Sequence, residues 1–250
     1  MNTITGIEDF YNGSAAEYVQ RTVACDMSGN LRQFVKHLPP GAHVVDAGCG
    51  SGRDTAWLLA HGYSCYSYDA SQELCKLAQD HVGALTRIHC HRHDALKLSA
   101  PADGIWASAS LLFLNDEDLS TALQALQTSL KPGGMLYASF KHGTGWRQDG
   151  DRWFRDMAPE NGRLLEELSG LRLEAVISDN DTLGRNNQWN AFLLRKPLEA
   201  PKGYHVYQTL VGTWRWSKGE FGTPSWTDGE NLDDEAAAVE DAFRDAARFA

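Results

Sequence analysis

The segment VVDAGCGSGRD, residues 44–54, constrains the fold of this chain more than any other. Its apolar start predicts a buried strand, and its glycines predict a tight turn that leads into a helix. Such a turn lets the backbone approach a bound nucleotide or amino-acid group closely. Gly48, Gly50 and Gly52 alternate with other residues, and Asp46 precedes them by two positions. This spacing differs from the GxGxxG pattern of dinucleotide-binding proteins.

Strand and helix patterns alternate along most of the chain. Strands are predicted at residues 43–47, 64–68, 87–93, 104–114, 135–140, 171–178 and 189–195. Helices are predicted at residues 8–38, 54–61, 71–81, 116–130 and 160–168, the third of them with Ser71 as its N-cap. Because strands joined through helices make right-handed crossovers, we expect an α/β fold with a seven-stranded, mostly parallel sheet and helices on both faces.

Two carboxylates and a turn follow the glycines in a regular order. Asp69 ends the second predicted strand, Asp94 ends the third, and LKPGG at residues 130–134 precedes the fifth. In this order they resemble the class I S-adenosylmethionine (SAM)-dependent methyltransferases, a Rossmann-like family, over residues 8–196. The segments GSGRD, AHGY and YDAS are most similar to small-molecule and metalloid methyltransferases of the tellurite-resistance and thiopurine type.

The resemblance implies SAM as the cofactor and gives the first turn a role in binding it. Gly48, Gly50 and Gly52 would approach the methionine part of SAM. Asp46 would take its ammonium group directly or through water. Taken singly, a carboxylate near a turn is as consistent with capping that turn, and only the joint register favours cofactor binding.

The remaining predicted cofactor residues follow from the same resemblance. Asp69 would accept hydrogen bonds from both ribose hydroxyls. Asp94 would meet the exocyclic amine of adenine, and the backbone N–H of Ala95 would reach the adenine ring. Tyr18 and Arg53 are expected to close over the cofactor from the N-terminal side.

The acceptor is expected to be a small molecule or a metalloid. Residues 107–115, ASASLLFLN, contain neither the Asn/Asp-Pro-Pro-aromatic box of base-methylating and glutamine-methylating enzymes nor a Pro-Cys nucleophile. The formal net charge of −10 also argues against a nucleic-acid partner. If the nucleophile must lose a proton, His142 and Asp116 are the candidate bases. Arg152, the third candidate catalytic residue, lies in DRWFRDM, which is consistent either with a lid over the substrate or with an ordinary loop.

Two further patterns bear on ligands and location. His89, His91 and His93 alternate along the third predicted strand, but we expect this strand at the sheet edge, where polar residues are common, and we predict no metal site. The five cysteines include no CxxC pair, which favours reduced thiols. No signal peptide or membrane-spanning run is apparent, so we expect a cytoplasmic protein without a membrane partner.

Three regions are expected in the chain. Residues 1–40 would form a helical cap, residues 41–197 the SAM-binding methyltransferase core, and residues 198–250 a short tryptophan-rich C-terminal extension. The extension would end in an amphipathic helix that packs with residues 204–226 onto the core or a second subunit. Its apolar stripe comprises Leu232, Ala236, Val239, Phe243, Ala246 and Ala250.

The extension leaves alternatives open. It is as consistent with a stabilising appendage as with a surface for a protein partner or for self-association. The chain could therefore methylate a protein or RNA target that the extension recruits. It could also be a regulatory module that binds SAM without turnover.

Overall fold

A computed structural model of the chain describes residues 4–180, 188–200, 202–218, 227–229 and 231–247. The chain divides into two compact units, residues 1–196 and residues 197–250. None of the helices in the described ranges is long and apolar enough to cross a membrane.

The larger unit begins with two helices, where the sequence predicted helical structure over residues 8–38. Helix α1 is Ile4–Thr22 and helix α2 is Ser28–Val35. Between them, the Asp26 carboxylate accepts a hydrogen bond from the backbone N–H of Ser28 at 2.8 Å. Because aspartate competes for backbone donors in this way, the chain turns here before the second helix begins.

The rest of the larger unit alternates strands and helices. The strands are β1 His43–Ala47, β2 Ser64–Asp69, β3 Ile88–Cys90, β4 Ala102–Ala107, β5 Leu130–Lys141, β6 Gly145–Asp149, β7 Arg152–Asp156, β8 Arg172–Asn180 and β9 Gln188–Arg195. The helices are α3 Arg53–Ala60, α4 Gln72–Val82, α5 Asp116–Ser129 and α6 Gly162–Ser169.

Seven of these strands form the central sheet, in the order β3-β2-β1-β4-β5-β9-β8. Strands β1 to β5 pair in parallel, and β9 is antiparallel to both of its neighbours. The predicted seven-stranded, mostly parallel sheet is therefore confirmed. Strand β3 lies at one edge of the sheet, as expected.

Apolar side chains cover both faces of the sheet. Ile105 and Trp106 are consecutive residues of β4, and both are fully buried. Because consecutive strand residues point to opposite faces, the two belong to separate core clusters. Ile105 packs in a cluster with residues of α5 and α6, whereas Trp106 packs in a cluster with residues of α2 and α3. The helices therefore lie on both faces, as predicted.

Four predicted elements differ from the structure. Strand β3 ends at Cys90, because residues 93–95 turn into a 3-10 helix. Strand β4 ends at Ala107, before a bend and a 3-10 turn at Leu111–Phe113. The LKPGG segment is the start of β5, where Leu130 pairs with Ala102. Residues 145–156, which include most of the predicted lid or loop, form the β6–β7 hairpin.

The smaller unit contains three strands and one helix. Strands β10 Tyr204–Gln208, β11 Trp214–Lys218 and β12 Thr227–Asp228 form an antiparallel sheet, and helix α7 is Glu235–Ala247. Trp216 donates its indole N–H to Asp241 at 2.9 Å, and Tyr204 donates its hydroxyl to Asp245 at 2.8 Å. These bonds attach α7 to strands β10 and β11.

The buried face of α7 differs from the predicted stripe. Ala238, Val239 and Ala242 are buried, whereas Phe243 is 53% exposed and Ala236 is exposed. Small side chains let α7 approach Tyr204 and Trp216, which supply the bulk of this core. Trp226 and Ala250, which the sequence prediction included, lie outside the described residues.

Candidate functional site

The glycine-rich turn joins β1 to α3 at the carboxyl end of the sheet. Gly48, Gly50 and Gly52 have φ angles of +83°, +53° and +75°, which are strained for other residues. The backbone N–H groups of Gly48 and Cys49 both donate to the carbonyl of Tyr68 at 2.9 Å. These bonds attach the turn to the end of β2, so the position of the turn is fixed by the sheet.

The three glycines face different surroundings. A Cβ atom on Gly50 would lie 3.1 Å from the ring and hydroxyl of Tyr18, and one on Gly48 would lie 2.4 Å from the Cβ of Ser110. A Cβ atom on Gly52 would instead lie 3.2 Å from Ala78 of α4. Gly48 and Gly50 therefore keep space open at the tip of the turn, whereas Gly52 allows two helices to approach each other.

A cavity opens beside this turn, with about 910 Å³ of open space including its mouth. We call it the first cavity. Five of the nine predicted cofactor residues line it, namely Tyr18, Gly48, Gly50, Asp69 and Asp94. The other four, Asp46, Gly52, Arg53 and Ala95, are not among its lining residues. The structure therefore brings only some of the predicted cofactor residues together at this cavity.

Asp69 connects the end of β2 with the glycine turn. Its carboxylate accepts hydrogen bonds from the backbone N–H of Gly50 at 3.0 Å and of Ser71 at 2.9 Å. Burial raises the pKa of this carboxyl above its usual value, and the two backbone donors oppose that rise. Each carboxylate oxygen can accept more than one hydrogen bond, so Asp69 can hold the turn and still accept from a ligand in the cavity.

Asp94 and Ala95 follow β3 in a 3-10 turn. Arg92 makes two hydrogen bonds to the Asp94 carboxylate, at 3.2 and 3.0 Å. The backbone N–H of Ala95 donates to the carbonyl of Arg92 at 3.1 Å, so it is engaged within the turn. The ring contact predicted for Ala95 therefore has no free donor here, whereas the carboxylate of Asp94 borders the cavity.

Neither Asp46 nor Arg53 lines the first cavity, although both lie close to the glycine turn in sequence. Asp46 is 2% exposed and accepts a hydrogen bond from the Thr55 hydroxyl at 2.6 Å. Burial and the nearby carboxylate of Asp54 raise the pKa of Asp46. Arg53 makes two hydrogen bonds to Asp54, at 2.7 and 2.8 Å. In this structure the buried position of Asp46 leaves it no direct path to a ligand in the first cavity.

Aromatic and imidazole rings form one wall of the first cavity. The Tyr68 hydroxyl lies 2.8 Å from Nδ1 of His93, and the Tyr68 ring stacks on His91 at 4.2 Å. Burial lowers the pKa of His93 to about 4, which makes its imidazole neutral at physiological pH. The sequence pattern singled out these histidines only as an edge strand or a metal site. In the part of the chain that the structure describes, no three or more histidine, cysteine, aspartate or glutamate side chains are grouped so that they could hold a metal ion.

A second cavity, with about 1050 Å³ of open space including its mouth, adjoins the first. Tyr11, Tyr18, Ser108, Ala109 and Phe113 line both cavities and form a shared wall. Ala109 has a φ of +53°, which no other non-glycine residue approaches in the described ranges. Strained backbone of this kind concentrates at functional sites. Nothing in the residue types of Ser108 and Ala109 marks them as site residues, so the sequence gives no signal for either.

The three candidate catalytic residues from the sequence lie in different places in the structure. Arg152 lines the second cavity, whereas His142 and Asp116 line neither. The imidazole of His142 is hydrogen-bonded to Asn190 at 3.0 Å, and Asp116 forms an ion pair with Arg155. Neither residue borders either cavity, so the role of both as candidate bases stays a prediction from the sequence.

Comparison with known proteins links this arrangement to a family. Residues 44–134 match the methyltransferase domain family. Over 103 residues, the chain is 35% identical to a trans-aconitate 2-methyltransferase of Azoarcus sp. (strain BH72), across 40% of this chain and 39% of that protein. The chain spans 36–39% of the length of the curated relatives it matches.

Solved structures share the fold at lower identity. A Burkholderia thailandensis 1,6-didemethyltoxoflavin-N1-methyltransferase, solved with 1,6-didemethyltoxoflavin and S-adenosylhomocysteine (SAH) bound, has a TM-score of 0.66 and 21% identity. The match covers 76% of this chain and 87% of that chain. A TehB-like SAM-dependent methyltransferase from Corynebacterium glutamicum has a TM-score of 0.58 and 21% identity, over 74% and 98% of the two chains.

Proposed function

We propose that this chain, whose residues 44–134 belong to the methyltransferase domain family and whose larger unit has the class I SAM-dependent methyltransferase fold, transfers a methyl group from SAM to a small molecule. SAM would occupy the first cavity and the acceptor the second. One observation carries this assignment: the glycine turn and Asp69 border a cavity that shares a wall with another of comparable size.

The proposed reaction is an in-line displacement at the methyl carbon. The acceptor's lone pair forms the new bond to carbon, the carbon–sulfur bond breaks, and its electron pair stays on sulfur, which leaves as the neutral thioether of SAH. The protein's main contribution would be alignment of donor and acceptor, which can supply about 7–11 kcal/mol of the barrier. Tyr11, Tyr18 and Ala109 lie where the two molecules would meet.

The shared wall bears on whether the protein itself removes a proton. Burial raises the pKa of the Tyr11 and Tyr18 hydroxyls, so both remain protonated at neutral pH. They can donate hydrogen bonds but cannot serve as bases. An acceptor that reacts as an anion, such as a carboxylate or thiolate, needs no base, and the two protonated tyrosines of the shared wall are compatible with this chemistry.

A small-molecule acceptor has support beyond the cavity. The relatives include a trans-aconitate 2-methyltransferase, and one structural neighbour was solved with 1,6-didemethyltoxoflavin. The alternatives are a protein or RNA target recruited by residues 198–250, and a regulatory module without turnover. A metalloid acceptor and a cytoplasmic location stay predictions from the sequence.

Binding of SAM and SAH is the first expected outcome. We expect dissociation constants in the low-micromolar range, about −8 kcal/mol, as is typical of metabolite sites. Titration calorimetry and thermal shift with each ligand measure this directly. The absence of both heat and a thermal shift would contradict the proposal. Transfer of a labelled methyl group from SAM to any acceptor would then separate an enzyme from a regulatory module.

Asp69→Ala is expected to weaken SAM binding by about 1–3 kcal/mol, because it removes charge-assisted hydrogen bonds to the ribose. It also removes the acceptor for the N–H groups of Gly50 and Ser71, so part of the loss would come from a less ordered turn. Asp69→Asn keeps one acceptor oxygen and should lose less. Calorimetric titration with SAM checks the series.

A matched control for this series is Asp103→Ala. Asp103 also accepts a backbone hydrogen bond, from His43 at 2.9 Å, and lies at the opposite end of the sheet's strands, lining neither cavity. Its replacement should leave SAM affinity unchanged. Equal losses for Asp69→Ala and Asp103→Ala would show that Asp69 has no specific part in cofactor binding.

A further inference from the structure

The residues that line the second cavity indicate the shape and charge of the acceptor. Resting on the proposed function, we infer that the acceptor is a planar, anionic molecule and that Arg152 binds its negative group. Arg152 begins β7, in the hairpin that borders the second cavity. Arg152 would select the acceptor by its negative charge and would take no part in bond making.

Aromatic side chains supply much of the cavity's lining. Those that line it are Tyr11, Tyr18, Phe113, Tyr137, Phe154 and Trp189. Rings of this kind offer flat apolar faces, on which planar molecules pack with offset-stacked or edge-to-face geometry. The body of the acceptor is therefore expected to be planar and largely apolar.

Positive charge exceeds negative charge in the same cavity. Four cationic side chains line it, namely Arg21, Arg53, Lys141 and Arg152, and two acidic ones, Asp149 and Asp179. Both aspartates are exposed, whereas Arg152 is half-buried. Asp149 lies opposite Arg152 in the hairpin register, but the two side chains form no ion pair, and the Asp149 carboxylate lies 3.9 Å from Arg147 instead. Since water screens exposed charges more strongly than half-buried ones, the two aspartates offset Arg152 only weakly.

The two arginines on the N-terminal side already have carboxylate partners. Arg53 is held by Asp54 at 2.7 Å, and Arg21 lies 3.5 Å from Glu17. Arg152 differs from both. Its contacts are a hydrogen bond to the Tyr11 hydroxyl at 3.3 Å and the rings of Phe10 and Phe154, whose centroids lie 4.4 and 4.9 Å away. Among the described residues, no carboxylate pairs with it.

A half-buried guanidinium held by rings is a ready partner for an anion. Its planar fork can make two parallel hydrogen bonds to a carboxylate or phosphate, and these charge-assisted bonds are stronger than neutral ones. Lys141 adds a second positive charge, with its Nζ atom 4.3 Å from the centroid of the same Phe154 ring. Both cations therefore lie beside the same aromatic ring.

The position of Arg152 also orients the acceptor. Tyr11 contacts Arg152 and belongs to the wall shared with the first cavity. A molecule anchored at Arg152 therefore has its anionic group next to that wall, and the rest of it extends along the rings. The anionic group or an atom adjoining it is thus the part closest to the methyl donor.

The test compares aromatic carboxylates with the primary amide of each, as probes for the SAH-loaded protein. Binding of SAH to the native chain is measured first, and this step tests the proposed function by itself. Ligand-observed NMR titration of the SAH complex should then show that the carboxylates bind at least about tenfold more tightly than their amides. Equal affinities, or no binding by any carboxylate while SAH binds, would overturn the inference.

Substitutions then test whether Arg152 causes the preference for carboxylates over amides. Arg152→Gln should abolish this preference while SAH affinity is retained. Arg152→Lys should keep part of the preference because the positive charge remains. Arg147→Gln is the matched control, because Arg147 lies in the same hairpin, 5.1 Å from the Phe154 centroid, but does not line the cavity. A carboxylate preference that survives in Arg152→Gln, or is lost equally in Arg147→Gln, would also overturn the inference.

Discussion

Replacing Gly50 with valine is expected to abolish measurable SAM and SAH binding while the chain remains folded. The reason is local. A Cβ atom at this position would lie 3.1 Å from the ring and hydroxyl of Tyr18, and the branched side chain would extend further into the first cavity. Titration calorimetry with SAH would measure the loss, and circular dichroism would confirm the fold.

Backbone strain adds to this effect. Gly50 has a φ of +53°, and a left-handed conformation costs an L-residue roughly 1–2 kcal/mol. A valine that relaxes this strain would move the backbone N–H of Gly50 away from Asp69, to which it donates at 3.0 Å. The substitution would thus disturb the turn and the carboxylate together.

Gly83→Val is the matched control for Gly50→Val. Gly83 has a φ of +63° and directly follows α4, but no atom other than those of its chain neighbours lies within 4 Å of the Cβ position there, and it lines neither cavity. Its replacement should cost stability without changing SAH affinity. Retained affinity in a folded Gly50→Val protein would mean that this turn does not face the cofactor.

The sequence predicted the sheet well because its signals are local. Apolar strand residues, the N-cap at Ser71 and the glycines after β1 each act within a few positions. In the structure, the Ser71 hydroxyl accepts from the backbone N–H of Leu74 at 3.2 Å, as expected for an N-cap. The order of strands and helices then follows from the preference for right-handed crossovers.

The predictions that failed depend on contacts between distant residues. Strand β4 ends at Ala107, and Ala109 is held by a hydrogen bond from its N–H to the Ser139 hydroxyl, thirty residues away. Likewise, nothing in the sequence indicated the ion pair that Asp116 forms with Arg155 of the β6–β7 hairpin. Periodicity within one segment contains no information on such pairs.

In the candidate site too, the features that depend on local sequence could be predicted, and those that depend on distant contacts could not. Gly48, Gly50 and Asp69 line the first cavity because the ends of neighbouring parallel strands meet at one edge of the sheet. The second cavity could not be predicted, because it is formed by α1, the hairpin and the ends of β5, β8 and β9. Only the folded chain brings Arg152 next to Tyr11, which is 141 residues away in sequence.

Of the substitutions proposed, Trp106→Ala is expected to lower the free energy of unfolding most, by about 3–5 kcal/mol, as is typical for a fully buried tryptophan. Trp106 is fully buried in β4, and its ring stacks on Tyr137 with centroids 3.8 Å apart. Its indole N–H donates to the carboxylate of Asp54 at 2.9 Å. Alanine would leave a cavity in the core and remove one donor from a buried carboxylate.

Two further variants separate these contributions. Trp106→Phe keeps an aromatic ring but no N–H donor, so its loss should be smaller than that of alanine. Trp57→Ala removes a partly buried tryptophan on the same face of the sheet, which stacks on His61, and should cost clearly less. Urea unfolding followed by circular dichroism gives the free energy of unfolding for each. Equal losses for Trp57→Ala and Trp106→Ala would contradict the central position of Trp106 in this core.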